Sequence, residues 1–153
     1  MTNRNFNGTQ INQSVTIVEK AGAEIADVRN RIMAYDEGGN VVLASGYAVP
    51  VGIALIEAGI NDISGVESGK VNVGDDVDIQ IKDIGYVLAG GDIAKGEEVT
   101  ASDGLAVKAE TGNYVVGIAL SAAAKDDYCR VQIVKYQKAD SKVSEDTEQE
   151  DKE

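Results

Sequence analysis

Carboxylates are the most plentiful side chains in this sequence that could do chemistry. Its 153 residues include 26 Asp and Glu against 14 Lys and Arg. Three pairs of acids are adjacent in the chain: Asp75-Asp76, Glu97-Glu98 and Asp126-Asp127. Neighbouring residues on a strand point to opposite faces of a sheet, so such a pair cannot share one substrate as a catalytic dyad does. We therefore interpret these pairs as solvated turns or strand ends.

A cation site is the other chemistry open to these acids. Asp75, Asp76 and Asp78 would offer carboxylate oxygens of the kind that calcium prefers. An EF-hand loop closes with Glu at its twelfth position, and that position counted from Asp75 is Tyr86. The spacing does not favour calcium, and we expect neither a metal nor a cofactor.

The residue types that are missing exclude most other catalysis. The chain has no His, which removes Ser-His triads, His-Cys pairs and HExxH sites. Cys129 is the only Cys, so it can form neither an intrachain disulfide nor a CxxC site. The Gly-rich residues 90–97 lack the Lys-Ser/Thr of a phosphate-binding P-loop. Lys82 and Lys108 lack the flanking residues of a biotin or lipoate carrier. We expect no catalytic residue.

Charge and hydropathy narrow the range of partners. The net charge of −12 argues against nucleic acid, because phosphates are neutralised by a surplus of Lys and Arg. The longest apolar stretch, residues 47–56, is far shorter than the ~20 residues that a bilayer requires. The Asn-rich beginning lacks the basic flank and apolar run of a signal peptide. The sequence predicts a soluble protein with no nucleic-acid partner and no membrane.

The elements that would position these residues are β-strands. Apolar and polar residues alternate over residues 77–82 and 129–133, as in strands with one buried face. Gly38-Gly39-Asn40 and Asp103-Gly104 lie between such runs and have the chemistry of hairpin turns, because Gly supplies the positive φ that tight turns need. The pattern predicts an all-β fold, a small body of barrel or sandwich type.

The body also contains an internal repeat. Residues 35–55 align with residues 100–120 at an offset of 65 without a gap, and eight of the 21 positions are identical. Further on, residues 79–81 resemble residues 131–133 at an offset of 52. The first copy therefore carries about thirteen extra residues near residues 59–73. The repeat predicts two tandem similar β units, at about residues 26–83 and 84–138.

Residues 1–25 differ from this body and are assigned to an extended N-terminal arm. The arm is polar and rich in Asn, Gln and Thr. We interpret it as a candidate docking arm, with a frayed terminus as an equally open alternative. Residues 16–18 could pair with the body or lie on a partner as an added strand. The apolar residues of the candidate docking arm are Phe6, Ile11, Val15 and Ile17.

Residues 139–153 form an acidic C-terminal tail. They hold seven acids and two Lys, and they contribute −5 of the net charge. Val143 is their only large apolar residue, so they cannot bury enough surface to offset the entropy of ordering them. We interpret this tail as disordered, with docking on a basic partner as the alternative.

The aromatic residues and the thiol are interpreted as structural. The six Tyr residues are widely spaced and are expected in the core or at a subunit interface rather than on a sugar-binding platform. Cys129 falls on the apolar side of its predicted strand and is expected to be a small buried hydrophobe.

An ordered series of motifs over residues 26–136 resembles tailed-bacteriophage proteins that decorate capsids. The series consists of Ile79-Gln80-Ile81-Lys82, Gly90 with Ile93 and Gly96, Asp103-Gly104, Gly117-Ile118-Ala119-Leu120 and Val131-Gln132-Ile133. The nearest likeness is to head fibre proteins, with capsid cement proteins as a related second family.

This resemblance implies a non-enzymatic structural protein of the virion. Such proteins are usually homotrimers that bind the major capsid protein on the outer surface of the capsid. Residues 26–138 would be the decoration domain, made in the host cytoplasm like the rest of the virion. The alternative is a carbohydrate- or host-surface-binding β module. An enzyme is the third possibility, limited to carboxylate chemistry or a site shared between subunits.

Overall fold

The computed structural model describes residues 14–140, in which ten β-strands and no helix occur. The first five strands are β1 (Thr16–Lys20), β2 (Ile32–Tyr35), β3 (Val41–Leu43), β4 (Pro50–Ala54) and β5 (Asp76–Gln80). The last five are β6 (Ile84–Leu88), β7 (Glu98–Ser102), β8 (Leu105–Lys108), β9 (Tyr114–Ala119) and β10 (Tyr128–Gln137). Strand pairing within each group is antiparallel throughout.

The strands form two five-stranded sheets with the same internal order. The first sheet runs β1-β5-β4-β2-β3, and the second runs β6-β10-β9-β7-β8. Adding five to each strand number of the first sheet gives the second. The sheets pack on each other as a sandwich, so the predicted all-β body is confirmed.

Isolated bridges outside the strands repeat as well. The parallel bridge between Ala21 and Val41 has its counterpart between Ala89 and Ala106. The antiparallel bridge between Ile25 and Val71 corresponds to the one between Ile93 and Ala123. β1 is therefore the counterpart of β6, and the first unit begins at β1. Residues 16–25, which the sequence analysis assigned to the arm, lie in the first sheet and its adjoining turn.

The two units differ mainly in one connection. The Leu55 amide donates to the Asp78 carbonyl (2.9 Å), and the equivalent Leu120 amide donates to the Arg130 carbonyl (2.7 Å). After this matched point, the first unit has fifteen residues (56–70) before Val71, whereas the second has only residues 121–122 before Ala123. The difference is the thirteen-residue insertion that the change of sequence offset predicted.

Tight turns occur at both predicted positions. Asp103 and Gly104 have φ values of 49° and 77° and connect β7 to β8 as a two-residue hairpin loop. Positive φ at both positions is the requirement of a type I′ turn. Gly39, with φ of 80°, lies in the β2–β3 turn. These turns fix the strand register, and with it the face on which each apolar residue lies.

Gly52 and Gly117 occupy equivalent positions where neighbouring backbones approach closely. A Cβ on Gly52 would lie 2.1 Å from the Gln80 carbonyl oxygen, and one on Gly117 would lie 2.1 Å from the Gln132 carbonyl oxygen. No side chain fits at either distance. Both positions therefore require Gly for the central strand pairs of the two sheets to form.

The core has two clusters of buried residues. One lies between the sheets and contains residues of both units, among them Ile53, Val116 and Cys129. The other is built from the first unit alone and includes Met33 and Ile79. Cys129 is fully buried, as predicted, and this burial raises the pKa of its thiol.

Several backbone hydrogen bonds join the units directly, among them one from the Gly104 amide to the Ala44 carbonyl (2.9 Å). The Ile32 amide donates to Gly104 (2.8 Å), the Leu88 amide to Asn30 (3.0 Å), and the Tyr114 amide to Gly46 (2.8 Å). Near them, the end of β4 and Gln80 of β5 lie beside Tyr86 of β6 and Tyr128 of β10, which is where the candidate site lies.

Candidate interaction site

Two of the three acidic pairs, Asp75-Asp76 and Glu97-Glu98, are engaged in structural contacts, and Asp126-Asp127 is exposed. The Asp75 carboxylate accepts a hydrogen bond from the Asn72 amide (2.8 Å), and Asp76 pairs with Lys20 across β1 and β5. Between residues 14 and 140, no three Asp, Glu or Cys side chains are grouped so that they could hold a metal ion. A calcium site formed by Asp75, Asp76 and Asp78 therefore has no geometric support.

Glu98, the first residue of β7, belongs to a small polar network with residues at the end of β10. The Tyr136 hydroxyl donates to its Oε2 (2.5 Å), and Lys138 lies 3.3 Å from its Oε1. The hydrogen bond from Tyr136, with a further contribution from Lys138, lowers the pKa of Glu98. Burial and the neighbouring carboxylate raise the pKa of Tyr136 to about 12. These contacts join the start of β7 to the end of β10.

The predicted docking residues are separated by the structure. Phe6 and Ile11 lie outside the described residues. Val15 is exposed just before β1, and its carbonyl accepts a hydrogen bond from the Ile81 amide (3.0 Å). Ile17 is half-buried within β1 and packs against the core of the first unit. Ile17 thus contributes to the fold, whereas Val15 presents its side chain to solvent.

The tyrosines do not lie in the core, and that part of the prediction is wrong. Tyr114 is half-buried. The remaining five are exposed: Tyr35, Tyr47, Tyr86, Tyr128 and Tyr136. Their polar hydroxyl groups reach water or a carboxylate, as at Tyr35 and Glu19 (3.0 Å). Their placement at a subunit interface stays a prediction.

A cleft of about 520 Å³ opens where the two units meet. Its floor is apolar and is formed by residues 53–56 at the end of β4. Tyr86 and Tyr128 line it from the second unit. Tyr86 is opposite Arg130, two residues beyond Tyr128, so the three side chains share one face of that sheet. We call this space the inter-unit cleft.

Asn30 places an unsatisfied acceptor in the inter-unit cleft. Its side-chain Nδ2 donates to the Tyr86 carbonyl (3.0 Å), and its backbone carbonyl accepts from Leu88. These bonds fix the amide orientation. Its Oδ1 is buried without a hydrogen-bond partner in the part of the chain that the structure describes, and the residue is only 7% exposed. A buried acceptor without a partner is costly, so a donor from outside would be favoured there.

A second groove, of about 550 Å³, lies beside β1 and contains Ile17 and Tyr35. Its polar groups already have partners. Lys135 donates from Nζ to the Val51 carbonyl (2.9 Å), and Tyr35 donates to Glu19. The groove therefore lacks the unmet hydrogen-bonding demand of the inter-unit cleft.

Residues 56–70, which we call the insertion loop, expose apolar side chains on an ordered backbone. Ile63 is fully exposed, and Val66 is 85% exposed. The Asp62 carboxylate accepts hydrogen bonds from the amides of Ser64 and Glu67 (both 3.1 Å). Its hydrogen bonds with Ser64 and Glu67 lower the pKa of Asp62. The loop presents apolar groups in a fixed arrangement.

Sequence reasoning missed both the inter-unit cleft and the role of the insertion loop. The cleft depends on Asn30 meeting Tyr86, 56 residues away, which no local pattern reveals. The loop does carry a signal, because Ile60, Ile63 and Val66 recur among Gly, Asp and Ser without strand alternation. Apolar residues in a segment that only one of two repeats has are candidates for contacts outside the body.

Comparisons with known proteins identify a similar fold. No protein-family model matches the sequence, and no curated protein matches it. A solved structure, the N base of the head fibre protein gp8.5 of bacteriophage phi29, has a TM-score of 0.59 to this chain. The two are 22% identical, and the match covers 82% of this chain and 99% of that one. Within residues 14–140, no helix has the length and apolar character to cross a membrane. The resemblance to head fibre proteins that the motif order predicted is confirmed, and the two chains share a fold.

Proposed function

We propose that this protein is a structural component of a bacteriophage virion that decorates the outer surface of the capsid. In this role it binds the major capsid protein and acts as an oligomer, a homotrimer. The observation that carries the proposal is the shared fold with a head fibre base, which extends over 99% of that chain. Two of the acidic pairs agree with a structural role, because the side chains of Asp75, Asp76, Glu97 and Glu98 form hydrogen bonds or ion pairs within the body.

The size and surface of the body support oligomerisation. A small β body buries a limited fraction of its surface, and association with further copies adds buried area. The described chain leaves 15 large apolar side chains exposed, among them Ile56, Ile63 and Val66. Exposed apolar groups of this kind are typical of contact surfaces when they are clustered.

Attachment to the capsid is assigned to the segment before β1. Ile17 is engaged in the first sheet, so the docking residues are limited to Phe6, Ile11 and Val15. Val15 is exposed where this segment joins the body. A short segment with spaced apolar residues can add a strand to a partner's sheet edge or fill its pockets.

Cosedimentation with undecorated capsids tests the proposal. The full chain should pellet with capsids and saturate at a fixed ratio. Removal of residues 1–13 retains β1 and should reduce binding at least about tenfold, since anchor residues dominate interface energies. Removal of residues 141–153 is the matched control, and it should leave binding unchanged. Failure of the full chain to bind would refute the proposal, whereas unchanged binding after removal of residues 1–13 would refute the assigned attachment segment.

A further inference from the structure

The inter-unit cleft sets specific requirements for an occupant. Residues 53–56 form an apolar floor, and Asn30 supplies one buried acceptor. The other polar groups of the lining are the hydroxyl groups of Tyr86 and Tyr128 and the side chain of Gln80, whose Nε2 already donates to the Lys82 and Ile84 carbonyls. The rest of the lining is apolar, which favours an aliphatic occupant over a saccharide with many hydroxyl groups. An aliphatic side chain next to one free N–H group meets both requirements.

The insertion loop of this same protein has those properties. Ile63 and Val66 are apolar and exposed. Among the amides of residues 62–67, that of Ile63 alone takes no part in the hydrogen bonds of the loop. An unused N–H group therefore lies directly beside a fully exposed aliphatic side chain.

The charges around the two surfaces are complementary. Asp62 and Glu67 flank the apolar residues of the insertion loop. Arg130 shares a sheet face with Tyr86 and Tyr128 beside the cleft, and it forms no ion pair with another described residue. An approaching loop would bring these acids toward an available cation, which favours the correct orientation of the encounter.

We propose that Ile63 and Val66 of one copy enter the inter-unit cleft of a neighbouring copy, where a small movement of the cleft wall uncovers Asn30 Oδ1 for the Ile63 N–H. This inference rests on the proposed oligomer and names its interface. Ile63 is fully exposed in its own chain, so the cleft it fills belongs to another copy. The loop and the cleft are different surfaces, and such a heterologous contact closes into a ring when the rotation between copies permits.

Paired variants test the contact without disturbing the fold. Ile63→Asp with Val66→Asp disables the loop, and Tyr86→Glu with Tyr128→Glu disables the cleft. All four side chains are at least 55% exposed in the single chain. Val73→Asp, at a 69% exposed site, is the matched control. Circular dichroism and thermal unfolding establish that each variant is folded.

Sedimentation velocity on the full chain provides the primary readout. We expect an oligomer for the wild type and for Val73→Asp. Each disabled variant should be monomeric, with self-association weakened by more than about tenfold. A 1:1 mixture of the two disabled variants should form a heterodimer, because one intact loop then meets one intact cleft. That complementation is specific to this pairing.

Several results would overturn the inference. These are a monomeric wild type, an oligomer that survives the loop variant, or a mixture that stays monomeric. If the oligomer were lost when residues 1–13 are removed and retained in the loop variant, the occupant of the cleft would be the N-terminal segment and not the insertion loop. If the wild type bound a saccharide on a glycan array and the cleft variant did not, the occupant of the cleft would be a saccharide. The capsid assay separates this inference from the proposed function: a ring that assembles as described but binds no capsid would refute only the latter.

Discussion

The first unit, β1–β5, and the second unit, β6–β10, have one topology but differ in their outward surfaces. Equivalent central strands contain Gly52 and Gly117, and each Gly faces a carbonyl of the neighbouring strand. The insertion loop has only residues 121–122 as its counterpart. Asn30, which carries the acceptor of the cleft, is matched by Gly96, because their amides donate to the equivalent carbonyls of Ala54 and Ala119. Positions that determine backbone packing are alike, and the differences concentrate in the insertion loop and at the inter-unit cleft.

Backbone conformation is retained even where the residue type differs. Gly74 and Asp126 are equivalent, with φ values of 89° and 72°, and their amides donate to Ala21 and Ala89. Asn30 and Gly96 have φ values of 55° and 90°. Left-handed backbone at a non-Gly residue is uncommon, and Asn and Asp tolerate it best. Asn30 therefore provides a side chain at a position where Gly satisfies the backbone alone.

The largest expected effect tests the equivalence of the two Gly positions. Gly52→Ala and Gly117→Ala should each lower the free energy of unfolding by about 3 kcal/mol, because the new Cβ collides with a carbonyl of the adjacent strand. Urea denaturation measures both. Gly91→Ala is the control and should cost under about 1 kcal/mol, since an added Cβ there has ordinary contacts. Tolerance at one of the two positions alone would contradict equivalent strand packing.

A smaller effect is expected where the cores of the units are exchanged. Ile79 and Val131 occupy equivalent buried positions. Ile79→Val should lower the free energy of unfolding by about 1 kcal/mol through the loss of one methylene group. Val131→Ile should also destabilise, by about 1–2 kcal/mol, because the tight space must accept an extra methylene. Urea denaturation distinguishes the outcomes, and a stabilised Val131→Ile would reveal unfilled space in the second unit.

The Glu98–Tyr136 contact, found in the second unit, predicts a modest pH dependence. The lowered pKa of Glu98 gives a contribution to stability that is present above its unfolded-state pKa and is lost as pH falls through the folded-state pKa. The pKa of Tyr136, raised to about 12, gives a second contribution to stability, which is present below about pH 10 and is lost as pH rises toward 12. Tyr136→Phe should reduce stability by under about 1 kcal/mol near neutral pH.

The difference in the free energy of unfolding between the wild type and Tyr136→Phe should be smaller at both extremes of pH than near neutral pH. Urea denaturation at pH 3, 7 and 11 would measure this. Identical pH profiles for the wild type and Tyr136→Phe would contradict a role for the contact in solution.

The smallest effect is local and belongs to the insertion loop. Asp62→Ala removes the acceptor for the Ser64 and Glu67 amides, so hydrogen exchange at those amides should accelerate while the midpoint of global unfolding stays unchanged. Ser121→Ala is the comparison in the short connection of the second unit, where the hydroxyl group accepts from the Arg130 amide. Unchanged exchange in the insertion loop would show that Asp62 does not order it.

Much of the fold could be predicted because the residues that the two units have in common are ones that determine backbone geometry. The Asp103-Gly104 turn and the Gly52/Gly117 pair recur with fixed spacing, and the change of offset revealed the insertion. β1 could not be recognised as part of a unit because TIVEK and its counterpart IGYVL are identical at no equivalent position. An edge strand pairs through its backbone on one side only, so its sequence is weakly constrained.

The candidate site was less predictable for a different physical reason. The inter-unit cleft is lined by Asn30 and Tyr86, which are far apart in the sequence and are joined by a hydrogen bond. That bond leaves Asn30 Oδ1 without a partner, and a sequence pattern does not reveal an unpaired acceptor of this kind. The tyrosines were expected in the core or at a subunit interface because they are widely spaced in the sequence. In the structure their hydroxyl groups favour the rim, where ring and hydroxyl find different surroundings.

The burial of Cys129 also has a practical consequence. It is the only thiol in the chain, it is fully enclosed between the sheets, and its raised pKa keeps it protonated at neutral pH. A thiol reagent can therefore react with the native protein only after the sandwich opens. The rate of alkylation of the Cys129 sulfur would therefore report the rate of that opening without any engineered label. It could be measured both for the free protein and for the protein attached to a particle.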